Sequence, residues 1–165
     1  MIFMSQSGLL DRAREREWDQ WYVEHLRIME TVDGIDSARR FKTKDPGWPP
    51  SLAMYTIRSA AVFDDPYYQK IRGMGEWLPL IDKRYYRRNF FEGLEAAPAV
   101  PAGFLLWVAD RDEPDLAFPG IRFSWLESAG LDRSTPYRAI AVVPAAVDTA
   151  PAREAGVGIY EPFSC

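Results

Sequence analysis

The chemistry open to this chain is concentrated in WDQWYVEHL, residues 18–26, which holds the only histidine among 165 residues. His25 stands there among Trp18, Trp21 and Tyr22. An imidazole titrates near neutrality, so it can take and return a proton during a reaction. The same side chain also serves as a core residue, set in an aromatic stripe and hydrogen-bonded to a carbonyl or carboxylate. Taken alone, the residues favour this second role. Arg39 and Arg40 come next. On a strand they point to opposite faces, so one of them turns inward. An inward guanidinium could bind the carboxylate or phenolate of a ligand, or pair with an acidic group across an interface. Tyr55, beside Ala53 and Ile57, could line the same cavity or pack as ordinary core. Trp21 and Tyr22 could wall a flat substrate, or simply dock a helix on a sheet.

Other chemistries lack their residues. No G-x-S-x-G elbow, Walker-type loop or G-x-G-x-x-G is present. Ser5, Ser7 and Ser128 have no evident triad partner. The single cysteine, Cys165, excludes an internal disulfide, and no Cys/His cluster has metal-ligand spacing, so no metal is expected. Lone His25 gives a haem-ligand role no second histidine or paired motif. Lys83, Arg84, Arg87 and Arg88 interleave with Tyr85 and Tyr86, but a net charge of −4 makes this run a cationic strand entrance and not a nucleic-acid patch. No segment reads as a signal peptide or a membrane span, and the expected location is the cytoplasm.

These side chains need elements to hold them. Aromatic residues make up 14% of the chain, which suggests a ligand cavity, a subunit interface, or both. From Asp11 to about Val32 the residues Trp18, Trp21, Tyr22, His25, Met29 and Val32 recur at helical spacing on one face. Glu17, Asp19, Gln20, Glu24, Arg27 and Glu30 take the solvated face, which argues against a carboxylate dyad there. Asp33-Gly34 stops the helix. Residues 2–9 (IFMSQSGL), 37–43 (SARRFKT), 51–59 (SLAMYTIRS) and 85–94 (YYRRNFFEGL) read as strands. A second helix starts at Asp65-Pro66 and runs to Pro79, weakened at Gly73 and Gly75. The order βαββαβ is that of a ferredoxin-like unit. AAPAVPAG (96–103) is a linker by composition. Beyond it FLLWVAD (104–110) and YRAIAVVPA (137–145) read as strands that pair, with a short helix around RFSWLESAG between them and VGIYEPF as an edge strand. The expectation is an α+β fold: a ferredoxin-like module over 1–94, and a linker with a C-terminal β-α-β extension over 95–165, in one compact unit.

The succession WDQWYVEHL, DGIDSARRF, SLAMYTIRS and the DDPYY helix resembles the dimeric α/β-barrel superfamily, and most of all its EthD-like branch. In that branch a W-Y-x-x-H-L type helix leads into a P-G-hydrophobic turn and an R-Y/F strand. Here Asp33-Gly34-Ile35 forms the turn, and Arg40-Phe41 takes the strand position. The likeness spans roughly residues 2–94. It implies a homodimer, two sheets closing a barrel, and pockets between sheet and helices. It also implies proton-transfer chemistry without a cofactor, by an isomerase, cyclase or lyase acting on a small aromatic, lactone or polyketide-like compound. His25 would shuttle the proton, Arg40 would hold an oxyanion, and Trp21, Tyr22 and Tyr55 would shape the pocket. The alternatives are a non-catalytic small-molecule-binding or accessory protein of a catabolic pathway, with His25 structural, and a cofactorless monooxygenase. The surroundings of His25 separate the first two: a ligand-sized cavity favours the enzyme, a dry core the binding protein.

Overall fold

A computed structural model describes residues 1–163; Cys165, on which the disulfide argument turned, lies outside them. The strands are β1 (Ile2–Ser7), β2 (Ile35–Lys42), β3 (Ser51–Ile57), β4 (Arg87–Glu92), β5 (Phe104–Arg111), β6 (Ser124–Leu131), β7 (Tyr137–Pro144) and β8 (Gly158–Phe163). The helices are α1 (Glu15–Met29), α2 (Pro66–Ile71) and α3 (Ala150–Glu154). A 3-10 turn over Arg12–Arg14 leads into α1, with Asp11 accepting from the Ala13 N–H at its start. The second expected helix breaks after Ile71, and a separate 3-10 turn follows over Gly75–Leu80.

All eight strands form one closed antiparallel barrel in the order β1-β3-β2-β8-β5-β7-β6-β4. This corrects the expected fold class. A ferredoxin-like α+β module with a C-terminal extension does not form; the chain is mostly sheet, and helices are few. Two long-range pairings explain the difference. β4 pairs with β6 and β2 pairs with β8, so strands from both ends of the chain share every sheet edge. The segment around RFSWLESAG, expected to be helical, is the strand β6. β8, expected at an edge, is bonded on both sides, to β5 and to β2.

Strand alternation then sorts side chains into three layers. Ile2, Met4, Phe41, Leu52, Met54, Phe91, Leu106, Val108, Leu126, Ile140 and Tyr160 fill the lumen. Within it Arg138 is fully buried, with Nε 2.7 Å from Asp110 Oδ1 and Nη2 donating to Gln6 Oε1 at 2.8 Å. On the outside of one half, Phe3, Ala53, Tyr55, Ile57 and Phe90 pack beneath Trp18, Tyr22 and Met29 of α1. Outside the other half, Trp107, Ala139, Ala141 and Ile159 lie under Phe118, Phe123 and α3. β1 and β3 are therefore buried along their whole length. The linker 96–103 is bound in as well: Ala97 N–H donates to Thr56 Oγ1, and its carbonyl accepts from Arg39 Nη1. The sheet face on which a homodimer was expected to form is the lumen that the chain closes by itself.

Candidate functional site

The buried stripe of α1 is Trp18, Tyr22, His25 and Met29, spaced four, three and four residues apart. This spacing keeps all four over the outer face of β1 and β3. Tyr22 and His25 thereby meet Phe3 and Ser5 of β1, Tyr55 of β3 and Arg88 of β4 around a small chamber. Tyr68, Tyr86 and the stretch Arg72-Gly73-Met74 complete its wall. That stretch joins α2 to the following 3-10 turn, and Gly73 takes a positive φ of 92° there. The chamber holds about 20 Å³, room for one water molecule.

His25 is only 9% exposed. Its ring stacks on Trp21 with centroids 4.8 Å apart and meets Tyr22 edge-on at 5.8 Å. Burial lowers its pKa to about 4, so the imidazole is neutral at physiological pH. Among the described residues no carbonyl or carboxylate hydrogen-bonds to it.

The phenols around it are held in their protonated form. Burial raises the pKa of Tyr22, against the nearby charge of Arg40. Tyr55 is raised well above the ordinary range by burial and then by Tyr22 and Tyr68. Tyr68 is raised by burial, with Arg88 and Arg72 opposing. Each of the three hydroxyls therefore remains protonated, and a donor, near neutral pH. A neutral base beside neutral phenol donors can take a proton from carbon and stabilise the oxyanion that forms.

The five sequence candidates divide into tiers. His25, Tyr22 and Tyr55 line the chamber. Trp21 backs the imidazole from outside. Arg40 does not reach the chamber; its guanidinium lies behind Tyr22, 4.2 Å from that ring, and also faces Trp18 at 4.8 Å. Sequence reasoning missed Ser5, Tyr68, Arg72, Tyr86 and Arg88. Tyr86 and Arg88 were in view as part of the cationic run, whose interleaved aromatics were their one signal. Among the described residues, no group of three or more His, Cys, Asp or Glu could hold a metal ion, and no helix is long and apolar enough to cross a membrane.

No protein-family model matches the chain, and no curated protein matches it. It does superpose on the crystal structure of a chlorite dismutase-like protein, with a TM-score of 0.58 over 99% of this chain and 94% of that one. The two chains share a fold. At 11% identity the likeness carries the fold and none of the chemistry.

Proposed function

We propose that the chain is a cofactor-independent enzyme that moves a proton on a small aromatic, lactone or polyketide-like compound in the His25 chamber. The observation that carries this reading is the convergence of one neutral imidazole, with no hydrogen-bond partner among the described residues, on a void lined by three buried phenols. The resemblance of WDQWYVEHL and its neighbours to EthD-like proteins supports the same assignment. In the proposed step His25 removes a proton from a carbon next to a carbonyl. Tyr22 and Tyr55 donate to the enolate oxygen, and the proton returns at a second carbon or a leaving group departs. Arg40 supports Tyr22 from behind, and Trp21 fixes the plane of the imidazole.

At about 20 Å³ the chamber must widen before a substrate enters. Arg72-Gly73-Met74 is the wall without regular structure, and we assign the opening to it. The small volume, by the cavity criterion set above, favours the second reading, a non-catalytic small-molecule-binding or accessory protein in which His25 is structural. Proton exchange separates the two. Candidate phenols, lactones and 1,3-dicarbonyl compounds are incubated with protein in D2O, and loss of their acidic C–H signals is followed by NMR. Catalysed exchange that His25→Gln slows about 10²–10⁴-fold supports the enzyme. Binding with no exchange above the buffer rate leaves the binding protein.

A further inference from the structure

A larger hollow lies elsewhere, along the seam where β2 meets β8. Those strands pair over three residues only, Arg40 with Phe163, Phe41 with Pro162 and Lys42 with Glu161. Two adjoining clefts of about 510 and 780 Å³ flank the seam and share Leu105, Ala145, Glu161, Pro162 and Phe163. Both are of ligand size, unlike the chamber at His25. Val23 and Leu26 of α1 and Phe104 supply apolar wall on one side, and Val147 on the other.

The wall along α1 and β2 carries a chain of ion pairs. Arg12 meets Glu15 at 3.4 Å, and Glu15 meets Lys42 at 2.9 Å. Lys42 meets Asp19 at 2.8 Å, and Asp19 meets Arg40 at 2.7 Å. Three cations share two carboxylates, so one positive charge is left over. At the buried end Arg40, whose side chain has no exposed surface, shares Asp19 with Lys42. Arg40 Nε donates to Ser51 Oγ at 2.9 Å, yet Nη1 and Nη2 have no well-aligned hydrogen-bond acceptor among the described residues. Buried N–H groups without an aligned acceptor are costly, and a ligand oxygen placed over them would relieve that cost. Glu161, the register partner of Lys42, adds an exposed carboxylate to the rim of both clefts.

What covers Arg40 on the cleft side is the ring of Phe163. It lies 5.0 Å from the Arg40 guanidinium and 5.2 Å from Lys42 Nζ, and it borders both clefts. We propose that the seam is a binding site for a small aromatic carboxylate, and that Phe163 is its displaceable cover. The carboxylate takes the place of the ring over Arg40 and Lys42, and the apolar body rests against Leu26, Phe104 and Leu105. This site is separate from the His25 chamber and does not depend on the function proposed there.

The probe is 2-naphthoate, with 2-naphthamide as its neutral counterpart, followed by calorimetry. The expected results are saturable naphthoate binding that weakens as salt is raised, and carboxamide binding at least about tenfold weaker. Lys42→Gln and Arg40→Lys should each weaken naphthoate about tenfold. Phe163→Ala should bind it several-fold more tightly, because no cover has to be moved. Equal binding of acid and amide, or loss of binding in Phe163→Ala, overturns the proposal; so does no binding at all by the wild type and Phe163→Ala. If instead Lys42→Gln and Arg40→Lys leave the affinity unchanged, the ligand sits elsewhere, and the seam site fails while the proposed function stands.

Discussion

The imidazole of His25 lies flat on the indole of Trp21, with 9° between the planes. Trp21 therefore closes the side of the histidine that faces away from the chamber, and it is part of the burial that holds the pKa near 4. Because the chain has one histidine, its ring protons give a single titration curve by NMR. We expect a midpoint near 4 in the native protein. Trp21→Ala should move the midpoint up toward the ordinary value of 6.5 by letting water reach the ring. A native midpoint near 6.5 would contradict the buried site.

The same shift makes stability depend on pH. The unfolded chain binds a proton at His25 as pH falls through about 6.5, whereas the folded chain waits until about 4. Between those values the unfolded state holds more protons, so folding stability drops as pH is lowered. Above 6.5 the effect is absent, and below 4 it is complete, at roughly 3 kcal/mol. His25→Gln removes this component. Urea unfolding at pH 7 and pH 5 should therefore show the native protein losing more stability than His25→Gln, by on the order of 2 kcal/mol. Equal losses would show that the imidazole is not desolvated.

How much of this was legible depended on whether the signal was local. α1 stood out because Trp18, Tyr22, His25 and Met29 repeat at the helical period. β1, β3, β5 and β7 stood out as apolar runs between turn residues. β6 did not, because only Leu126 is buried in it, and a lone apolar position fixes no period. Barrel closure was hidden for a different reason. The pairing of Arg40 with Phe163 joins residues more than a hundred positions apart, and no periodicity in either strand encodes the choice of partner. The chamber was half legible. His25 and Tyr22 came from the helix stripe and Tyr55 from strand alternation. Arg88 and Tyr86 looked solvated because they sit in a cationic run, and only the fold of β4 against β1 brings them to the imidazole.

Closure within one chain predicts that the first half cannot stand alone. Truncation after Leu94 removes β5 to β8 and lays open a lumen lined by Ile2, Met4, Phe41, Leu52, Met54 and Phe91. It also leaves β2 and β4 as bare edges, which invite pairing with other chains. The fragment should be insoluble or aggregated. A soluble, folded fragment with native far-UV circular dichroism would refute the account. The full chain should melt at a temperature independent of protein concentration over a hundredfold dilution, if no second copy is needed to complete the fold.

The lumen itself supplies the last test. Arg138 has no exposed surface, and its charge is met by the two oxygens of Asp110 at 2.7 and 2.9 Å, with Gln6 Oε1, Met4 Sδ and the face of Phe91 as its other partners. Asp110 keeps 31% of its side-chain surface exposed, so it places the counter-charge at one mouth of the barrel. Asp110→Ala leaves a cation in a low-dielectric lumen with only neutral dipoles around it. We expect that change to cost about 3 kcal/mol in urea unfolding. Arg138→Met leaves the half-exposed carboxylate to water, and it should cost less. The double variant Asp110→Ala with Arg138→Met should be more stable than Asp110→Ala alone, because the stranded charge is gone and an apolar side chain fills the space. If the double variant is as unstable as the sum of the two single variants, Arg138 acts in the lumen by shape and not by charge.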